Sequence, residues 1–292
     1  MSRRGWLLFL AMGVIWGMPY LFIKIAVEHL SPASVVFLRT AVAALLLTPI
    51  AAARGELRPL LAKWRPLLAF ASVEMAIPWL FLANAERHIS SSLAGLLLAT
   101  VPLVGAVLGW VTKSDRIDWR RGIGLLIGLS GVAALVGLDL GVDDVGALLQ
   151  MAVVAVGYAV GPFILARYLA NEPGLGVIAA SLVFTGIVYA VPGVAQLSGQ
   201  WPPVEAIVSV LFLAVVCTAV AFVLFFALID EIGPTKSTVI TYINPAVAIA
   251  LGVIFLDEPL TAGIVIGFVL VLAGSAIATR SSRQKSPAVT GA

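Results

Sequence analysis

The chain has 292 residues, of which 61% are apolar and only 11% charged, with a net charge of +3 and a mean hydropathy of +1.08. A soluble domain carries about 25% charged residues, so this composition excludes a water-covered globule. Ten bilayer spans of about 20 residues would use about 200 residues, which leaves no room for a separate catalytic or nucleotide-binding domain.

Ten apolar segments follow in chain order, at 6–26, 33–53, 66–85, 91–111, 119–137, 146–166, 175–194, 206–228, 235–255 and 261–279. Each is long enough for a membrane helix, and none alternates as a membrane β-strand does. Arg3 and Arg4 precede the first segment as in a signal peptide, but its length reads as a retained span. The stretch from Ser281 to Ala292 is small and polar and reads as a disordered tail. The single cysteine, Cys217, lies in an apolar run; it rules out an intrachain disulfide framework and reads as a small buried side chain.

The basic residues sort by side. Arg3, Arg4, Arg54, Arg58, Lys63, Arg65, Lys113, Arg116, Arg120, Arg121, Arg167, Lys236, Arg280, Arg283 and Lys285, fifteen of the eighteen, fall on one side. The other side holds Arg87, with Lys24 near the end of span 1, and the acids Glu28, Glu86, Asp139, Asp143, Asp144, Glu205, Asp257 and Glu258. The positive-inside rule predicts an inner-membrane protein with both termini in the cytoplasm, and the charge pattern reads as topology, with no nucleic-acid partner. Trp6, Trp64, Trp119 and Trp201 sit at span ends, where indole rings anchor depth.

At an offset of 143 residues Pro19 matches Pro162, Pro49 matches Pro192, Pro59 matches Pro202 and Pro102 matches Pro245. The same offset pairs Lys24 with Arg167, Asp115 with Glu258, and Gly109, Gly124 and Gly131 with Gly252, Gly267 and Gly274. The chain is therefore a duplicated five-span unit. Five is odd, so the second unit enters the membrane from the opposite face. The basic loop after span 4 indeed becomes Asp257-Glu258-Pro259 after span 9. Inverted repeats are the architecture of secondary transporters.

Those residues also carry a likeness to a known family. Trp16-Gly17, Pro32 followed by Arg39, Pro102, Gly233-Pro234, Asn244-Pro245, Gly252, and Glu258-Pro259-Leu260-Thr261 running into Gly267 and Gly274 form an ordered set. With it the chain resembles the EamA branch of the drug/metabolite transporter superfamily. The resemblance implies an all-α integral membrane protein of ten transmembrane helices in two inverted five-helix EamA repeats, at 1–138 and 139–280, with the tail at 281–292. It also implies a site between the units, lined mainly by spans 1, 3, 4, 6, 8 and 9. Among characterised branches the chain looks most like the YddG-type amino-acid exporters.

Ionisable groups at membrane depth are costly and count as functional candidates. Glu74 lies about 12 Å into span 3 on a 1.5 Å rise per residue, and reads as a counter-charge for a substrate ammonium, as a proton carrier, or as a structural partner of Arg39 or a serine. Arg39, in span 2, could bind a carboxylate, with helix packing the favoured reading. Lys24 and Arg167 are expected to snorkel to the interface. Prolines within spans free a carbonyl four residues earlier, so Pro19, Pro78, Pro102, Pro162 and Pro245 are the candidate helix breaks and gating points. Near them stand Trp16, Tyr20, Trp79, Asn84, Thr100, Tyr158, Thr218, Tyr242 and Asn244, an aromatic and amide set suited to an amphipathic organic solute. His29 and His88 fall at span ends with no zinc spacing, and no phosphate loop is present, so neither metal nor cofactor is expected.

The expected function is export of a small organic solute, an amino acid (aromatic ones included) or a related metabolite, by alternating access. A multidrug or nucleotide-sugar exporter is the alternative within the superfamily. An intramembrane enzyme is disfavoured, because it would need paired acids or a Ser/His couple in the membrane. Protons stay open as a coupling ion, as do monomer and homodimer.

Overall fold

A computed structural model describes residues 1–112, 118–139, 145–197, 199 and 201–279. The tail from Ser281, Asp115 of the repeat matching, and Lys113, Arg116, Asp143, Asp144, Arg280, Arg283 and Lys285 of the charge sorting lie outside these residues. Nine helices among the described residues are long and apolar enough to cross a bilayer. They are span 1 (Arg3–Val27), span 2 (Pro32–Ala53), span 3 (Pro59–Ala85), span 4 (Ser91–Val111), span 5 (Trp119–Leu138), span 6 (Val145–Tyr168), span 7 (Gly174–Ala195), span 8 (Val204–Ile232) and span 9 (Thr238–Phe255). Span 10 (Ala262–Ala278) is shorter and on a 1.5 Å rise still reaches about 26 Å, close to the hydrocarbon thickness. Leu45, Leu126, Ile187, Val191 and Phe255 point outward and exposed, as a lipid-facing surface requires.

Local chemistry starts the helices. Ser2, Ser31, Ser90 and Thr261 each accept a hydrogen bond from the backbone N–H three residues on, at 2.9–3.2 Å, and so satisfy an otherwise orphaned donor. Between spans 8 and 9 the chain reverses at Gly233, whose φ of 83° favours glycine.

Packing follows the duplication. Spans 2 and 7, 4 and 9, and 5 and 10 pack as pairs of repeat mates, while span 3 packs on span 6 and span 1 on span 8. A twofold operation carrying span n to span n+5 returns the first three pairs to themselves and exchanges the last two, so the packing has the symmetry of the sequence. Spans 5 and 10 meet backbone to backbone, as their glycines predict: a Cβ at Gly124 would lie 2.5 Å from the Ala278 nitrogen.

The helices break where carbonyls lose their donors. Span 1 opens between Ile15 and Pro19, and span 4 between Leu98 and Val101. Span 9 begins as a 3₁₀ turn, Thr238–Tyr242, before Asn244–Phe255. Span 3 widens into a π turn over Ser72–Ala76, just ahead of Pro78, with Ile77 N–H donating to the Ser72 carbonyl. Span 8 has a π turn over Val215–Val220, at the same 143-residue offset and with no proline to mark it. Pro162 is a correction: it sits inside an unbroken helix, Val145–Tyr168, so the expected symmetry of the Pro19/Pro162 breaks is not realised.

Candidate functional site

Arg39 projects from span 2 into the contact between spans 3 and 8 and is only 7% exposed. Its guanidinium carbon lies 3.8 Å from the centre of the Trp79 ring, a cation–π stack. Its Nε–H donates to Thr218 Oγ1 at 2.9 Å, and the Thr218 hydroxyl donates to the Leu213 carbonyl at 2.7 Å. The π turn of span 8 makes that second bond possible, since it brings position 218 over the carbonyl five residues back. Among the described residues the Nη groups have no hydrogen-bond partner and no carboxylate within ion-pairing distance. Tyr20 of span 1, Tyr158 of span 6 and Cys217 of span 8 lie within the electrostatic reach of Arg39. Tyr20 and Cys217 are buried.

Glu74 occupies the π turn of span 3 and points at span 6. Its carboxylate fills the space that a Cβ at Gly161 would need, and it faces Tyr158. Its Oε2 is buried with no hydrogen-bond partner. The alternative of a structural pair between Glu74 and Arg39 or a serine is therefore not what forms: the two side chains are unpaired with each other, and Tyr158 lies within electrostatic reach of both.

Other candidates divide. Trp16 packs edge-on against Phe222, with centroids 5.8 Å apart, and tilted against Phe225 at 4.6 Å, wedging span 1 against span 8. Asn84 Nδ2 donates to Gln150 Oε1 at 2.9 Å, tying span 3 to span 6. With its amide turned to satisfy both acceptors, Asn244 donates to the carbonyls of Ile240 and Gly13 at 3.0 Å each, which ties span 9 to span 1. The Tyr242 hydroxyl bonds Thr279 Oγ1 at 2.9 Å, just past the end of span 10. At the span 4 break ahead of Pro102, the Ala99 carbonyl accepts from Ser275 Oγ at 3.0 Å, and Thr100 Oγ1 donates to Leu97. Contacts and electrostatic reach thus link the candidates Arg39, Trp79, Thr218, Tyr20, Tyr158 and Glu74, from spans 1, 2, 3, 6 and 8.

Two residues are placed differently from their sequence reading. Lys24 does not snorkel; its Nζ donates to the carbonyls of Glu86 and Ile89 at 2.6 and 3.0 Å, closing the end of span 3. Glu86, grouped by sequence with the outer acids, is fully buried, and neither carboxyl oxygen has a hydrogen-bond partner. Glu258 does reach a helix end. Asp257, at φ 53°, turns the chain back after span 9. The Glu258 carboxylate then accepts from Ser91 N at 2.7 Å, Ser92 N at 2.9 Å and Ser92 Oγ at 2.5 Å, at the N-terminus of span 4.

Comparison with known proteins agrees with this architecture. The EamA-like transporter family matches twice, over residues 3–137 and 145–280. The chain belongs to that family. A Bacillus subtilis protein named "Uncharacterized transporter YvbV" is 24% identical over 294 residues, covering 99% of this chain and 96% of its own. A Streptantibioticus cattleyicolor protein named "Probable terminal-alkyne amino-acid exporter" is 26% identical over 288 residues, covering 96% of this chain and 94% of its own. One crystal structure shares the fold at 20% identity and a TM-score of 0.67, covering 95% of this chain and 98% of that one. The EamA chain described here is thus a multi-pass membrane transporter protein built from two family units.

Proposed function

We propose that this EamA protein exports amino acids and related metabolites by alternating access, with both termini in the cytoplasm and the units 1–138 and 139–280 as the two bodies that move. The observation that carries the reading is the separated pair of charges: Arg39 with its Nη groups unpartnered on Trp79, and Glu74 with a buried, unpartnered oxygen. An α-amino acid brings one carboxylate and one ammonium group. The planar fork of Arg39 takes the carboxylate, and Glu74 takes the ammonium or, between substrates, a proton. Trp79, Tyr20 and Tyr158 supply aromatic faces for the side chain. The helix breaks at Pro19, Pro78, Pro102 and Pro245 let the half-spans tilt without stretching a complete ladder of hydrogen bonds. A relative named as an amino-acid exporter supports the substrate class, and the fifteen basic residues on one side support an inner-membrane orientation with cytoplasmic termini.

The test is counterflow in proteoliposomes with a panel of amino acids, with and without a pH gradient. Exchange of aromatic or apolar amino acids by the wild type, lost on Arg39→Met, is the expected result. Glu74→Gln should abolish any transport driven by the gradient; unchanged transport would remove Glu74 from the mechanism. If no amino acid exchanges, the substrate assignment fails, and drugs and nucleotide sugars are the next panel.

A further inference from the structure

Glu86 ends span 3 on the side away from the termini, and its burial is unusual in kind. The residue is 0% exposed, and both carboxyl oxygens lack a hydrogen-bond partner. Such a group is tolerated as a neutral acid far more cheaply than as an anion, because an unpaired buried charge costs several kcal/mol even after the surroundings relax, on the order of the ionic desolvation penalty. Among the described residues none of the groups facing it hydrogen-bonds its carboxyl, although the charges of Lys24 and Arg39 pull toward the ionised form. Lys24 of span 1 spends Nζ on the carbonyls of Glu86 and Ile89. Glu258, from the turn after span 9, is a like charge and is committed to Ser91 and Ser92 of span 4. Arg39 of span 2 is in electrostatic range but donates its Nε–H to Thr218. Tyr20 of span 1 and Tyr158 of span 6 complete the surround.

These contacts make Glu86 a joint of the outer closure. Its backbone is held by span 1 through Lys24, its side chain reaches inward toward the Arg39 site, and the Glu258 strut beside it ties the span 4 start to the turn after span 9. We propose that Glu86 is a proton-binding group that latches the outer face: protonated, it stays buried and the face closes; ionised, it must reach water, and spans 1, 3 and 4 part to expose it. Burial drives the carboxyl well above the usual carboxylate range, against the opposing pull of Lys24, so the proton is held to higher pH than on a solvated carboxyl. The latch rests on the alternating access and orientation of the export reading, and adds to it the group through which external pH acts on the opening step.

The experiment needs no substrate, so its failure is distinct from failure of the amino-acid assignment. Ala26→Cys, at a position fully buried two residues beyond Lys24, is introduced into the full chain with Cys217→Ser and reconstituted in liposomes. A membrane-impermeant maleimide then reports opening. Rates corrected for thiol ionisation should rise by about tenfold or more as pH is raised when Glu86 is present, tenfold being the change that one unit of titration corresponds to. Glu86→Gln, which keeps the shape of the neutral acid, should stay slow throughout, and Glu86→Met, which removes the polar atoms, should do the same. Parallel pH profiles for the Glu86 protein and either variant overturn the latch. So does rapid labelling of both variants at low pH.

Discussion

Replacing Thr218 with valine keeps the branched shape of the side chain and deletes the oxygen that accepts from Arg39 Nε at 2.9 Å. The substitution also ends the 2.7 Å donation to Leu213 inside the π turn. A hydrogen bond to a charged group contributes about 1.5–3 kcal/mol, and leaving a buried donor unpaired adds to the loss. Because Arg39 retains its stack on Trp79, the expected cost sits near 2 kcal/mol, with Thr218→Ser nearly neutral. Thermal unfolding in detergent should show the valine variant lower by several degrees and the serine variant within about a degree. A cycle combining Thr218→Val with Trp79→Leu should give a coupling of about 0.5–3 kcal/mol, because both side chains position one guanidinium. Equal stability of the valine variant and the wild type, or strict additivity in the cycle, would refute the account of how Arg39 is held.

Removing the Glu258 strut with Glu258→Ala should cost about 1–3 kcal/mol, the scale of a charged cap with several donors, with Glu258→Gln losing roughly half, read as melting midpoints. Gly274→Ala places a Cβ against the Gly128 nitrogen and should destabilise the span 5 and 10 pair by about 1–3 kcal/mol; wild-type stability would show that these helices are free to part. For Glu86 the sign follows from linkage. Its carboxyl is raised in the folded protein, so the stability it contributes is complete below about pH 4, where the unfolded chain is also protonated, and is lost progressively as pH rises toward the folded value. Glu86→Gln should therefore flatten the stability profile and gain on the wild type at neutral and alkaline pH in chemical or thermal unfolding. A profile for the wild type as flat as that of the variant counts against a buried acid at this position.

The spans were legible because a bilayer sets a length, and span limits from apolar runs fall within a few residues of the helices; the start of span 3 is the exception, since Pro59–Lys63 adds a 3₁₀ turn to its first helical residues. The inversion was legible because prolines recur at one offset while the loop charge at that offset turns from basic to acidic. The π turn of span 8 was not, because nothing local marks it: Val215–Val220 is an ordinary apolar run. Arg39 and Glu74 were found as costly charges at depth, but their lack of mutual pairing depends on which faces spans 2, 3 and 6 turn to one another. Glu86 was read as a loop acid because sequence position records distance along the span, whereas its burial comes from elements remote in the chain, around Lys24 and Glu258. The hydrogen bonds of Tyr242 and Asn244 were not legible, because polarity near a proline looks the same whether it lines a path or ties one helix to another.

The two π turns occupy the same register in each half, 143 residues apart, yet one presents Glu74 and the other Cys217. An antiparallel pair of separate identical subunits would be obliged to show one residue at both places, so an acid in the path would come doubled and repel its twin. Fusion into a single chain lifts that obligation. The paired turns can keep their common geometry while only one of them carries an acid, and under the proposed export reading a solute with unlike ends would then meet a lining that tells one end from the other.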